Sequence, residues 1–403
     1  MLKKMMAGAA LAGLMAGPLA AQTTDLTIVS WGGAYSNSQN KAYHEPYAAQ
    51  NAAVKIINDE SSSQAVAKLR AMNEAGNITW DVVDVEGPDS QRLCDEGLAM
   101  RIDFDEWLAP ATSAGSASAL ATMVSSMNLE GLSPEAMMDA LSQMQAMTGD
   151  VSAAADFGEA LINECFIPQI VFSTTFGYRT DVAAWGGKTP TSVCDVFDLA
   201  TFPGKRSLER GPKKNLEWAL LCDGAAKADL YDVLSTPEGV QRALAKLDTI
   251  KPETIWWTAG AETPQRLADG EVVIGSTYNG RLFAVIEEQK QPVAMLWDYQ
   301  VFDFDGWIIP TGVPEAKMPV IKDYIRFATD TQRLADQAKY ISYGPARASS
   351  APLVSTHAEL GIEMAQHMPT DPANRGNILV NNIEWWADNQ DEVEAVFQAW
   401  LAR

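Results

Sequence analysis

The sequence predicts an α/β protein of two lobes joined by extended crossings. Three observations carry that expectation. Short β-rich runs alternate with helical stretches in two separate sets along the chain. Two long extended runs, 169–178 and 299–310, are suited to crossing between those sets. The 403 residues also exceed what one hydrophobic core usually supports. Alternating strands and helices imply right-handed βαβ units and a parallel sheet. Ligands of such sheets collect beyond the carboxyl ends of the strands, so a site is sought in the residues that follow each strand.

In chain order, a basic start (Lys3, Lys4) leads into a small-apolar run over 5–16 and a small-residue stretch over 17–21. The apolar core is shorter than the roughly 20 residues a span requires, and polar residues follow it. The layout is that of a cleaved secretory signal covering residues 1–21. The first α/β set then begins with a strand over 26–31, broken by Gly32-Gly33 and followed by a helix over 34–49. A strand over 54–57, a helix over 61–75 with Ser61 or Ser62 as N-cap, and a strand over 80–85 complete the set. Gly87-Pro88 turns into a further helix. Residues 102–178 contain no Lys or Arg, and within them Ser133-Pro134-Glu135 reads as a helix start. Met137, Leu141 and Met144 continue that helix as an apolar stripe, and 108–158 reads as a helical insertion without chemistry.

The second set has helices over 216–221 and 237–249 and a strand over 272–277. Two amphipathic helices follow, one carrying Ile321, Tyr324, Ile325 and Ala328, the other Val393, Phe397 and Trp400. One lobe is expected over 22–172 and 306–342, the other over 173–305 and 343–403. Lobes joined by extended crossings make a hinged protein that closes on its ligand.

Composition narrows the function. Apolar residues are 47% of the chain and charged ones 20%, the balance of an ordinary globular protein. A net charge of −22 argues against nucleic acid or anionic lipid as partner. The four cysteines lack C-x-x-C spacing and the three histidines (His44, His357, His367) are scattered, so neither a metal nor another cofactor is expected. In an exported chain an even cysteine count points to disulfides. Of three connectivities, Cys94–Cys165 is preferred, and pairing of Cys194 with Cys222 stays open. No G-x-S-x-G, H-E-x-x-H, P-loop or G-x-G-x-x-G motif occurs, which favours binding over catalysis. A periplasmic hydrolase built on a carboxylate pair is the alternative of a different class.

The segments Ser30-Trp-Gly-Gly-Ala-Tyr35, Phe202-Pro-Gly-Lys-Arg-Ser-Leu208 and Ile255-Trp-Trp257 resemble the extracellular solute-binding proteins of ABC transporters, in particular the spermidine/putrescine-binding group. Leu267-Ala-Asp-Gly-Glu-Val-Val-Ile274, Tyr278-Asn-Gly280 and Tyr343-Gly-Pro345 continue the series, which covers residues 25–107 and 160–403. The resemblance implies a type II periplasmic-binding fold, no catalytic activity and a membrane permease as partner, the binding chain itself acting as a monomer. It also matches Asp305 to an amine-binding aspartate, while Asp303 falls where that group often has tryptophan. Trp386 lies nearest the group's C-terminal contact.

The residues themselves support an aromatic, acidic cleft. Aromatic faces hold protonated amines by cation–π attraction, and carboxylates add charge-assisted hydrogen bonds. Trp31 and Tyr35 follow the first strand, Glu86 the third and Tyr278 the strand ending at Thr277. Asp303 and Asp305 share one face of an extended run by strand alternation. Trp257 is the member of its tryptophan pair assigned to the ligand, and Tyr343 stands beside Gly344-Pro345. These residues, with Trp386, form the expected site for a polyamine. Against that ligand, Arg210-Gly-Pro-Lys-Lys-Asn215 brings cations where a diamine wants carboxylates, since a buried unpaired ammonium is costly. Arg281 is suited to grip a carboxylate with its planar fork. A zwitterion or another small amine is therefore the competing ligand.

Overall fold

The computed structural model describes residues 23–111 and 151–403. The expected signal segment and the helix beginning near Ser133 lie outside these residues. The strands are β1 (Thr24–Val29), β2 (Val54–Asp59), β3 (Val82–Glu86), β4 (Ile167–Arg179), β5 (Arg206–Glu209), β6 (Thr254–Trp257), β7 (Ile274–Tyr278), β8 (Val293–Ile308), β9 (Gly344–Pro345) and β10 (Ile378–Val380). They run β2-β1-β3-β8-β4-β7-β5-β6 across one path, with β10 beside β8 and β9 beside β4.

That order contains the same unit twice. In the first half β1 pairs in parallel with β2 and β3, and β8 then runs antiparallel along β3. In the second, β5 pairs in parallel with β6 and β7, and β4 runs antiparallel along β7. The two expected crossings are thus β4 and β8, of 13 and 16 residues, which pair with each other and join the halves. Their register shifts between Pro168 and Ile170 and again between Thr174 and Phe176. Such irregularities bend a strand and re-aim its side chains.

Each half encloses its own core. Leu26, Ile28, Val82, Trp307, Ile321 and Tyr324 fill the first, and Phe176, Trp218, Leu244, Phe397 and Trp400 the second. The two C-terminal apolar stripes seen in the sequence are helices Met318–Ala328 and Ile383–Leu401, and both turn those stripes inward. Cys94 is bonded to Cys165, tying helix Gly87–Asp95 to the segment before β4, and Cys194 to Cys222.

Two local expectations are modified. The helix after β1 is Gly33–Gln39, a π turn over Asn40–His44, then Glu45–Gln50. The wide turn buries Tyr43 and His44 together. Neither Ser61 nor Ser62 caps the next helix. A 3₁₀ turn Ser62–Gln64 intervenes before Ala65–Glu74, and the Ser61 hydroxyl accepts a hydrogen bond from Lys68 Nζ (2.7 Å) instead.

Candidate functional site

The chain after β1 must reverse quickly to begin its helix, and Gly32 and Gly33 do so with φ of 76° and 60°. A side chain at Gly32 would also press on the Glu60 carboxyl at 3.0 Å. This turn sets Trp31 and Tyr35 over the middle of β3, where Asp84 is completely buried. Asp84 accepts four hydrogen bonds: Trp31 Nε1 (3.3 Å), Tyr35 Oη (3.1 Å), Gln39 Nε2 (2.6 Å) and Gln169 Nε2 (3.0 Å). Asp305, on β8 opposite Glu86, forms a hydrogen bond with Asp84.

Two buried carboxyls in contact cannot both ionise cheaply. Burial and then the Asp84 charge push Asp305 well above the usual carboxylate range. Burial raises Asp84 too, but its hydrogen bonds from Asp305, Gln39, Gln169 and Tyr35 work against that. The shared proton therefore resides on Asp305.

Two residues further along β3, Glu86 faces the opposite electrostatics. Burial alone would raise it, yet the Lys213 and Lys214 ammoniums, at 2.9 and 3.6 Å, hold it down at about 2. Both lysines precede helix Asn215–Cys222 in the second half, so this cluster spans the cleft. Lys214 Nζ lies 5.9 Å from the centre of the Phe172 ring and 5.8 Å from that of Tyr278.

Between these groups lies a small cavity lined by Trp31, Tyr35, Glu86, Tyr278, Asp305 and Tyr343 together with Ile170, Phe172 and Arg281. Six of the nine expected residues thus converge. Their aromatic rings interlock: Tyr35 with Tyr343 at 5.8 Å, Phe172 with Tyr278 at 5.6 Å and with Tyr343 at 6.0 Å. Arg281 arches over Tyr278, its guanidinium carbon 5.7 Å from the ring centre, and its buried Nε has no hydrogen-bond partner. Room for this arrangement comes from Gly260, where a Cβ would stand 2.6 Å from Tyr278 and 3.1 Å from Arg281 Nε.

The other three residues lie elsewhere. Trp257 is buried edge-on to Tyr278 at 6.1 Å and lines the wider outer cleft with Glu60, Arg210 and Lys213. Its neighbour Trp256 packs on Phe397 and Trp400, the division expected of adjacent strand residues. Asp303 is buried beside the cavity and accepts a hydrogen bond from Asn381 Nδ2 (2.5 Å). Burial and the Glu86 charge, against both lysines, raise it to about 7. Trp386 is a correction: it is fully buried in the second core, its Nε1 donating to Glu217 at 2.8 Å. Helical periodicity explains this, because Trp386 shares the inward stripe of Val393, Phe397 and Trp400.

Sequence reasoning missed Ile170 and Phe172, although their i, i+2 spacing in an extended run places them on one face. It also passed over Asp84. Among the described residues, no group of three or more His, Cys, Asp or Glu side chains is placed to hold a metal ion. No described helix is long and apolar enough to cross a membrane.

Twin α/β halves, two long connecting strands and an aromatic-lined cavity between the halves define a two-lobed binding protein. Residues 42–370 match the model of the bacterial extracellular solute-binding proteins, and the chain belongs to that family. A γ-aminobutyric acid-binding protein of Pseudomonas aeruginosa is 33% identical over 383 residues, 95% of this chain and 92% of that one. Among solved structures, the Atu4243-GABA receptor is 26% identical with a TM-score of 0.70, covering 94% of this chain and 98% of that one. The periplasmic binding protein AgtB of A. tumefaciens, in complex with agropinic acid, is 25% identical at the same TM-score, with 94% and 99% covered.

Proposed function

We propose that this protein captures a small zwitterionic ω-amino acid of the 4-aminobutyrate kind and delivers it to an ABC-type membrane permease, acting as a monomer in the periplasm. One observation carries the reading: Arg281 and Asp305 line the same aromatic cavity. A guanidinium binds a carboxylate through two parallel N–H bonds, and the unpartnered Arg281 Nε is available for one of them. Asp305 receives the ligand ammonium, with Trp31, Tyr35 and Tyr343 as its aromatic surround. Relatives named for binding γ-aminobutyrate support this assignment. They favour the zwitterion over the polyamine that the motif series led us to expect. A diamine would set a second ammonium near Arg281, Lys213 and Lys214.

Calorimetry with 4-aminobutyrate, longer and shorter ω-amino acids and putrescine tests the reading. Saturable one-to-one binding of an ω-amino acid is expected, with putrescine far weaker. A hydrogen bond to a charged group contributes about 1.5–3 kcal/mol. Asp305→Asn and Arg281→Gln should therefore each weaken binding by roughly ten- to a hundred-fold. Undiminished affinity in both variants would remove the basis of the assignment.

A further inference from the structure

Lys214 occupies its place against three opposing costs. It is almost wholly buried, its ammonium makes no hydrogen bond, and the nearest carboxylate oxygen is that of Glu86 at 3.6 Å. Its backbone adopts φ 72°, ψ −42°, a conformation that side-chain-bearing residues rarely take. It is also the N-cap of helix Asn215–Cys222, where the positive end of the helix dipole disfavours a cation and where Ser, Thr, Asp or Asn is preferred. Folding alone would be better served by asparagine or glycine at this position. What the lysine supplies is a positive charge in a particular spot, against the rings of Phe172 and Tyr278 and beside Glu86.

A carboxylate with two aromatic faces is what a ligand ammonium would seek. We propose that Lys214 is a specificity-determining residue, its ammonium standing in for the second amine of a diamine, so that the cleft accepts one ligand ammonium at Asp305 and favours a carboxylate at the opposite end. Lys213 and Lys214 then present two cations at one firmly ionised carboxylate, Glu86, and Arg281 adds a third in the lining of the same cavity. A diamine meets repulsion there and finds its carboxylate already taken. An ω-amino acid meets net attraction. The inference rests on the zwitterion reading above and adds the residue that rejects the diamine.

The test compares affinities for 4-aminobutyrate and putrescine in the wild type, Lys214→Gln, Lys214→Arg and Lys214→Asn, with thermal melts to verify folding. Lys213, 2.9 Å from Glu86, is left unchanged in these variants, so the carboxylate keeps a partner. Lys214→Asn places at this positive φ a residue type that tolerates it better than most, and serves if the glutamine variant does not fold. Removing the ammonium should cut the preference for 4-aminobutyrate over putrescine at least tenfold, chiefly by strengthening putrescine binding, whereas Lys214→Arg should retain it. Adding Glu86→Gln to Lys214→Gln should abolish the gain in putrescine affinity. Parallel loss of both affinities at unchanged preference would show that Lys214 only holds the fold, and overturns the proposal. A wild-type protein that prefers putrescine, or binds neither amine, overturns the zwitterion reading itself and this inference with it.

Discussion

At the scale of single residues, the pair Asp84–Asp305 governs how the ammonium of the proposed ligand would enter. Asp84 already has its donors in place, while Asp305 holds a proton in the empty cleft because burial and the neighbouring charges of Asp84 and Glu86 raise it. On the proposed reading, a ligand ammonium at Asp305 would favour the ionised form and displace that proton. Binding near neutral pH should therefore release up to about one proton, and affinity should fall on acidification. Calorimetry in two buffers of different ionisation enthalpy measures the release directly; identical heats in both would contradict it. In Asp84→Asn the repulsion disappears, and the released fraction should drop. Trp31, Tyr35 and Tyr343 were legible because each stands just after a strand or in an ordered motif, and Asp305 because alternation along an extended run and the family resemblance both single it out. Asp84 was not, because its meaning comes from Gln39 and Gln169, which are 45 and 85 residues away in the chain.

At the scale of elements, strands and helices follow closely from hydrophobic periodicity, and the errors fall where two periodicities compete. Trp386 invites comparison with cleft aromatics, yet its spacing to Val393, Phe397 and Trp400 repeats every three to four residues and turns it toward the core. The two disulfides staple different elements over unequal loops. Cys94 and Cys165 are 71 residues apart, Cys194 and Cys222 only 28. Loop-closure entropy then assigns about 4.4 kcal/mol to the first and about 3.6 kcal/mol to the second. Replacing the first pair by alanine should lower the melting temperature more than replacing the second, and reductant should lower it in the wild type. Equal melting temperatures for both double variants would go against this ordering.

At the scale of the whole molecule, the acidic interior sets the pH at which the empty protein is most robust. Asp303, raised by burial to about 7, binds its proton more readily folded than unfolded, where its ordinary value is 3.8. Acidification from pH 8 toward pH 5 therefore stabilises the folded state, and buried Asp84, Asp305 and Glu217 act in the same direction. Glu86 has the reverse sign: held at about 2 against an ordinary 4.5, its contribution is present above about pH 4.5 and lost as pH falls toward 2. Ligand-free protein should melt highest between roughly pH 4.5 and 6. Asp303→Asn should flatten the alkaline side of that curve, and a monotonic rise toward pH 8 would refute the assignment. The two α/β sets could be anticipated from alternating strands and helices, whereas the antiparallel placing of β8 along β3 and of β4 along β7 could not. The cluster of Glu86 with Lys213 and Lys214 could not, because it forms only when the halves meet.

Each disulfide begins and ends within one half, and neither bridges the cleft. Covalent stiffening is thereby kept apart from the relative motion of the halves. The arrangement also separates two stages in the life of the chain. Before oxidation the polypeptide lacks both staples and is the less stable for it. On oxidation each half can lock independently, in either order, without waiting for the other half or for ligand.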